Sequence, residues 1–193
     1  ATFDESFALY QPTKCDYWIY YYLKLEEIEN LHCVNTSKVT TMEGMFMQCI
    51  VIKSLDLSAF ETSNVQNFEG MFQSCKQLES LDVSNFETAN VQTMKKMFFK
   101  CTNLKAVIVG SKFSNSQNEC YNMFADTPAQ LYSHIDDYLA NTGNKTFADG
   151  RSIKPYFPVN DKAEYGTLCS PVGGTLGDVT ISGIDKHYQV DAE

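Results

Sequence analysis

"IKSLDLSAFETSNVQNFEGMFQSC" occupies residues 52–75 and "LESLDVSNFETANVQTMKKMFFKC" occupies residues 78–101, and the two agree at 13 of 24 positions when laid 26 residues apart. Most of the differences are conservative exchanges, such as Leu57 for Val83 or Phe68 for Met94. One stretch is a structural copy of the other. Extending the register fixes the number of copies: the pair Met-Phe stands at 45–46, 71–72, 97–98 and 123–124. Trp18-Ile19 marks a degenerate leading copy, one position out of phase.

A fixed period in the twenties is the signature of a repeat in which each unit supplies one strand and one helical or 3₁₀ segment. Within a unit, Leu78, Leu81 and Val83, like Ile52, Leu55 and Leu57 or Leu104, Val107 and Val109, end in apolar-polar-apolar alternation. That is the pattern of a strand with one buried face. Thr-Ser-Asn or Thr-Ala-Asn follows, residues suited to capping a helix. Val65, Phe68, Met71, Phe72 and Cys75 then recur at helical spacing, which predicts a helical convex side. The fold class expected is an α/β repeat solenoid, a leucine-rich-repeat-like right-handed coil of units of about 26 residues with a short β-rich C-terminal segment.

One unit cannot bury its apolar face alone, so the ends require covers. Residues 1–38 read as an N-terminal cap with the degenerate repeat, and residues 39–127 as the repeat solenoid. In residues 128–143, Thr127 stands as N-cap, Pro128 at the first helical position, and Leu131, Ile135, Tyr138 and Leu139 form a stripe ahead of Gly143. That predicts a C-terminal capping helix. Residues 144–193 begin polar and broken by Gly and Pro, then turn to short strand-like runs, a linker and β-rich segment.

Composition narrows the function. The 193 residues are 44% hydrophobic and 20% charged, a globular balance, with a formal charge of -9. No basic stripe exists to supply affinity for a phosphate backbone, so nucleic acid is not an expected partner. The longest apolar or aromatic run, "YWIYYYL" at 17–23, is far short of the roughly 20 residues that span a bilayer. Seven cysteines leave at least one thiol unpaired and form no C-x-x-C pair. Cys49, Cys75 and Cys101 share one repeat position and read as a ladder of buried thiols, since free Cys behaves as a small core residue.

No catalytic signature emerges. His32, His134 and His187 sit in unrelated segments, without HExxH or a Ser/His or Cys/His arrangement. "PVGGTLGD" at 171–178 lacks the Lys and Ser/Thr of a P-loop and reads as a hairpin turn, and Asp136-Asp137 as a solvated helix face. The sequons at Asn35 and Asn144 are short patterns that arise by chance. No enzyme activity, cofactor or metal is expected. Tyr17, Trp18, Tyr20, Tyr21 and Tyr22 read as filling of the N-terminal cap, with a sugar-stacking platform as the alternative.

The LDVSNFxTxxVxxMxxMFxxC pattern of residues 81–101 and of the copy before it resembles the BspA-like leucine-rich repeat proteins, a family of bacterial surface proteins. The resemblance covers residues 17–127. It implies a secreted or surface-anchored protein of a host-associated bacterium, acting in adhesion to host matrix proteins or to other microbes. "YGTLCSP" at 165–171 looks like the opening of β-rich C-terminal modules in exported proteins of gut bacteria. The leading copy departs from the pattern: Tyr22 stands at the Cys position, one residue is added before Val39, and the Asp-Val-Ser strand is missing.

The resulting expectation is a non-enzymatic protein that displays a protein-binding surface, with a carbohydrate-binding protein and a structural spacer as the alternatives. Glu29, Asp56 and Asp82 fall at equivalent positions, so stacked strands would set their carboxylates in a column on the concave face, with Ser58 and Ser84 forming a second column. Ile108 ends the acidic column. Two readings stand side by side: the carboxylates hold the turn after the strand, or they recognise basic segments of a protein ligand.

Overall fold

The computed structural model describes residues 1–113 and 119–132. Within them the chain returns alongside itself once per copy and runs parallel each time. Thr41 is bridged to Asn67, Asn67 to Thr93 and Thr93 to Glu119, steps of 26 residues. At the N-terminal end the steps are of 27, Thr2 to Glu29 and Lys14 to Thr41, which is the added residue noted before Val39.

On one side of this stack lie β1 (Ser80–Val83), β2 (Ala106–Val109) and β3 (Gln130–Tyr132), parallel and hydrogen-bonded in that order. Leu81 pairs with Val107 and Val83 with Val109. Alternation places Leu81 and Val83 in the core and Asp82 outside. The corresponding run at 52–57 does not form a strand. There the Asn85 side-chain amide donates to the carbonyls of Leu57, Ser58 and Phe60 at 3.0, 3.3 and 2.8 Å. β3 also occupies the start of the stretch expected to be a capping helix: Gln130 and Leu131 pair with Ala106 and Val107, and residues 133–143 lie outside the described residues, as do 144–193.

The other side departs from the sequence expectation. The described residues contain no α-helix, only the 3₁₀ turns Glu5–Leu9 and Leu31–Cys33. In place of a helical face stands a ladder of consecutive β-turns. The N–H groups of Met42, Gly44, Phe46 and Gln48 donate to the carbonyls of Asn67, Glu69, Met71 and Gln73 in the next coil, at 2.8–2.9 Å. Between these rungs Met45, Met47 and Cys49 donate back three residues, to Met42, Gly44 and Phe46. Alternate N–H groups therefore serve the next coil, a division an α-helix does not permit. The following coils repeat the scheme at 68–75 and 94–101.

Two of the turns in each coil need a left-handed residue at their third position. Gly44 (φ 57) and Gly70 (φ 61) meet that need at one of them, and Gln48 (φ 63) and Ser74 (φ 62) hold the other. Lys96 and Lys100, then Asn122 and Asp126, carry positive φ at the same places in the later coils. Such turns bury positions i, i+3, i+4 and i+7, here Met42, Met45, Phe46 and Cys49, as a helix would. Spacing decides between them. Packed helices stand about 8–10 Å apart, whereas paired strands lie about 4.8 Å apart. The buried rings of Phe46, Phe72, Phe98 and Phe124 stack with centroids 5.7, 5.6 and 5.0 Å apart, so the turn side keeps step with the strand side.

The Thr-x-Asn segments do not cap helices. They tie each coil to its neighbours. Buried Thr62 donates to the Glu87 carbonyl (3.3 Å) and accepts from the Glu87 N–H (2.8 Å), and Thr36 does the same with Glu61. Asn64 and Asn90 reach back to the carbonyls of Ser37 and Ser63, both at 2.8 Å. Cys49, Cys75 and Cys101 are buried and free, and their thiols donate to the carbonyls of Ile19, Phe46 and Phe72 at 3.0, 3.2 and 2.9 Å. Burial pushes the Cys49 thiol up to about 11 and the Cys101 thiol to about 12. Cys75 is raised well above its ordinary range by burial and the flanking thiols.

Candidate functional site

The strand face presents the acidic residues the register singled out. Asp56 accepts from the Ser58 N–H at 3.0 Å and the Ser58 hydroxyl at 2.6 Å, both through Oδ1. Asp82 accepts from the Ser84 N–H at 2.9 Å in the same way. An acceptor two residues before a donor closes the turn that ends the strand run. The Ser58 hydroxyl and N–H hold the Asp56 carboxyl below its usual range, and His32 adds to the effect. The structure also shows a third such turn, Asp4 with Ser6, which sequence reasoning missed although Asp4-x-Ser6 repeats the spacing of Asp56-x-Ser58.

Asp56, Ser58, Asp82 and Ser84 come together, with Leu55 and Asn85, around a cleft of about 170 Å³. Both carboxylates are exposed. Glu29 is not brought into this group. Its Oε2 accepts from the Thr2 hydroxyl at 2.6 Å, and its backbone pairs with the N-terminal segment. Asn30, left-handed at φ 56, follows it, and Leu31 beyond is buried. On the far side Ile108, opposite Asp82, is 3% exposed and packs with Ala106, which ends the polar surface at β2.

The aromatic segment divides in two. Ile19 is buried, and Trp18 packs against the core beside Phe7 and Tyr10, as a cap requires. Tyr17, Tyr20, Tyr21 and Tyr22 do not fill the cap: they are 42–55% exposed. The ring centroids of Tyr17 and Tyr20, and of Tyr20 and Tyr21, lie 5.6 Å apart. The cause is the turn geometry, since Tyr17 and Tyr21 occupy the left-handed positions (φ 56 and 65), and between them Ile19 is buried and Trp18 half-buried against the core. The Tyr17 hydroxyl donates to Glu43, and that bond pushes its ionisation up to about 12.

Chemically, the cleft offers the Asp56 and Asp82 carboxyl groups beside hydroxyls, able to accept hydrogen bonds from ammonium or guanidinium groups. Among the described residues no three His, Cys, Asp or Glu side chains are grouped to hold a metal ion, and no helix is long and apolar enough to cross a membrane. His134 and the pair Asp136-Asp137 lie outside the described residues. No curated protein and no solved structure matches the chain. A family model does match residues 18–138, from the out-of-phase first coil through the last turn ladder and beyond. The chain therefore belongs to the family described as Mycoplasma protein of unknown function, DUF285.

Proposed function

We propose that the chain is a non-enzymatic, leucine-rich-repeat-like right-handed solenoid of the BspA-like kind, secreted or held at a bacterial cell surface, and that it displays a surface for adhesion to host matrix proteins or to proteins of another microbe. The observation that carries this reading is the cleft where one coil's Asp56 and Ser58 stand beside the next coil's Asp82 and Ser84. A repeated exposed carboxylate on a face made of stacked coils suits an extended basic segment better than a small molecule. Charge of this kind governs encounter rate and selectivity more than it governs strength. The test is capture on immobilised extracellular-matrix proteins. Retention that weakens as salt rises supports the reading, and no retention on any matrix protein at low salt speaks against it.

A second reading rests on the tyrosines. Tyr17, Tyr20, Tyr21 and Tyr22 offer exposed rings with polar edges, a surface on which sugar rings stack. A glycan reader would change the fluorescence of Trp18 and its neighbouring tyrosines on sugar addition, whereas an adhesin acting through the Asp56 and Asp82 cleft would not. A spacer that only holds another module would show neither response.

A further inference from the structure

The serine column beside the acidic cleft has a different residue one coil earlier. Buried Thr36 is stapled to Glu61 as buried Thr62 is to Glu87, so residues 31–37 lie on residues 57–63 in the step of 26 that relates 57–63 to 83–89. In that step His32 stands where the next coils have Ser58 and Ser84. Leu31 and Cys33 on either side of it are buried while His32 is exposed, which puts the imidazole on the same outer face as Asp56. Asn30 holds the place of Asp56 and Asp82, and its amide is turned the other way, to the Phe3 carbonyl at 3.2 Å.

Asp56 keeps one oxygen unused. Both bonds from Ser58, the N–H at 3.0 Å and the hydroxyl at 2.6 Å, go to Oδ1, and Oδ2 accepts none among the described residues. That second oxygen is available to an ammonium or guanidinium group of a ligand. After the Ser58 hydrogen bonds, His32 contributes to holding the Asp56 carboxyl below its usual range, so the imidazole is within electrostatic reach. The other charged groups around His32 are Glu29 in its own coil, held by the Thr2 hydroxyl, Asp4 and Glu5 at the turn packed against Leu31–Cys33, and Lys53 further back along the Asp56 run. Of the carboxylates among them and Asp56, Asp56 alone lines the cleft. Asp82 stands one coil further off, opposite Ile108.

We propose that His32 is a pH gate on the acidic cleft: neutral, it leaves the open oxygen of Asp56 to a cation of the ligand, and protonated, it takes that oxygen itself and repels the cation. This inference rests on the binding reading above and adds its regulation. Histidine is the side chain whose ordinary titration falls between about pH 5 and 8. The chain therefore holds a basic segment near neutral pH and releases it in acid.

The experiment is the association rate of fluorescein-labelled octalysine with the full chain at low salt, in steps from about pH 8 to about pH 5. The parent is compared with His32→Gln and with a double variant, Asp56→Asn with Asp82→Asn. Glutamine removes the titrating ring at an exposed position, and circular dichroism at each pH confirms the fold. The parent should slow by about two- to threefold on acidification, the effect of one like charge added within a Debye length of the bound cation. His32→Gln should match the parent at the upper end and lose that fall, and the double variant should be slow throughout. A parent rate that stays level, or an equal fall in the parent and His32→Gln, overturns the gate and leaves the cleft standing. Octalysine that does not bind the parent at any of these pH values, or that binds the double variant as fast as the parent, removes the cleft reading and the gate with it.

Discussion

Phe72→Ala tests the stack where it is most tightly determined. Phe72 is fully buried, with the Phe46 ring 5.7 Å away on one side and the Phe98 ring 5.6 Å away on the other, tilted by only 3° and 5°. Truncating a buried Phe costs about 3–5 kcal/mol through lost transfer energy and the cavity left behind. Each stacked aromatic pair adds about 0.5–1.5 kcal/mol beyond area, and Phe72 forfeits two. The ladder limits relief, because the Phe72 N–H is bonded to the Met97 carbonyl at 2.9 Å and the Phe46 N–H to the Met71 carbonyl at 2.9 Å, which holds the coils apart. The expected cost is therefore at the upper end, about 5 kcal/mol, a large share of the total stability of an ordinary domain. Phe124, with Phe98 at 5.0 Å as its stacked partner, is the internal comparison, and Phe124→Ala should cost less. Urea unfolding followed by circular dichroism measures both. A midpoint for Phe72→Ala equal to the parent's, or a larger loss for Phe124→Ala, would refute the stacking argument.

Lys96 carries φ 55 where the two preceding coils have Gly44 and Gly70, so Lys96→Gly should stabilise. Relief of about 1–2 kcal/mol of left-handed strain outweighs the roughly 0.4–1 kcal/mol that glycine's freedom in the unfolded chain takes back. A lower thermal midpoint would contradict this. Thr62→Val leaves the Glu87 N–H without its acceptor in a buried setting and should cost about 1–3 kcal/mol, with Thr62→Ser recovering part; equal urea midpoints for Val and parent would count against the staple. Burial holds Cys15 and Cys101 protonated up to about 12 and Cys49 up to about 11. An unfolded thiol ionises near about 8.5, so above that pH the unfolded chain binds fewer protons than the folded one, and stability should fall by about 1.4 kcal/mol per pH unit for each thiol. Thermal midpoints that stay flat from about pH 8 to 10, with unfolded thiols titrating near 8.5, would show that the thiols are not buried in the folded state.

The 26-residue register was legible because Met-Phe, Cys and the alternating strand residues recur together, and each recurrence became a stacked neighbour: Phe46 on Phe72, Leu81 beside Val107. The nature of the turn side was not legible from apolar spacing, since a ladder of turns buries Met42, Met45, Phe46 and Cys49 at helical intervals. Gly44 and Gly70 inside that stripe were the available signal, because glycine is poor in a helix and favoured at a left-handed turn position. The same misreading gave Thr62 and Thr88 the role of helix caps. With the coils near 5 Å apart, each thiol of the ladder is turned to a carbonyl of the preceding coil. Of the candidate site, Asp56, Ser58, Asp82 and Ser84, which share a register, line one cleft, and Glu29 does not line it; its carboxylate is held by the Thr2 hydroxyl. Exposure of Tyr20, Tyr21 and Tyr22 could not be read from a run in which every residue is apolar or aromatic.

The claim that the strand face binds a protein ligand through its carboxylates is tested most directly by the association rate of the chain with Asp56 and Asp82 changed together to Asn, against the matrix protein that retains the parent, over a range of salt. Asparagine keeps an oxygen for the Ser58 and Ser84 N–H groups, so the turns should persist while the charge is removed. The account predicts a slower association and a flatter salt dependence, since screening acts over about 8 Å at physiological salt. An unchanged rate with an unchanged salt dependence, in a variant whose circular dichroism matches the parent, would leave these residues a structural role alone and contradict the binding reading.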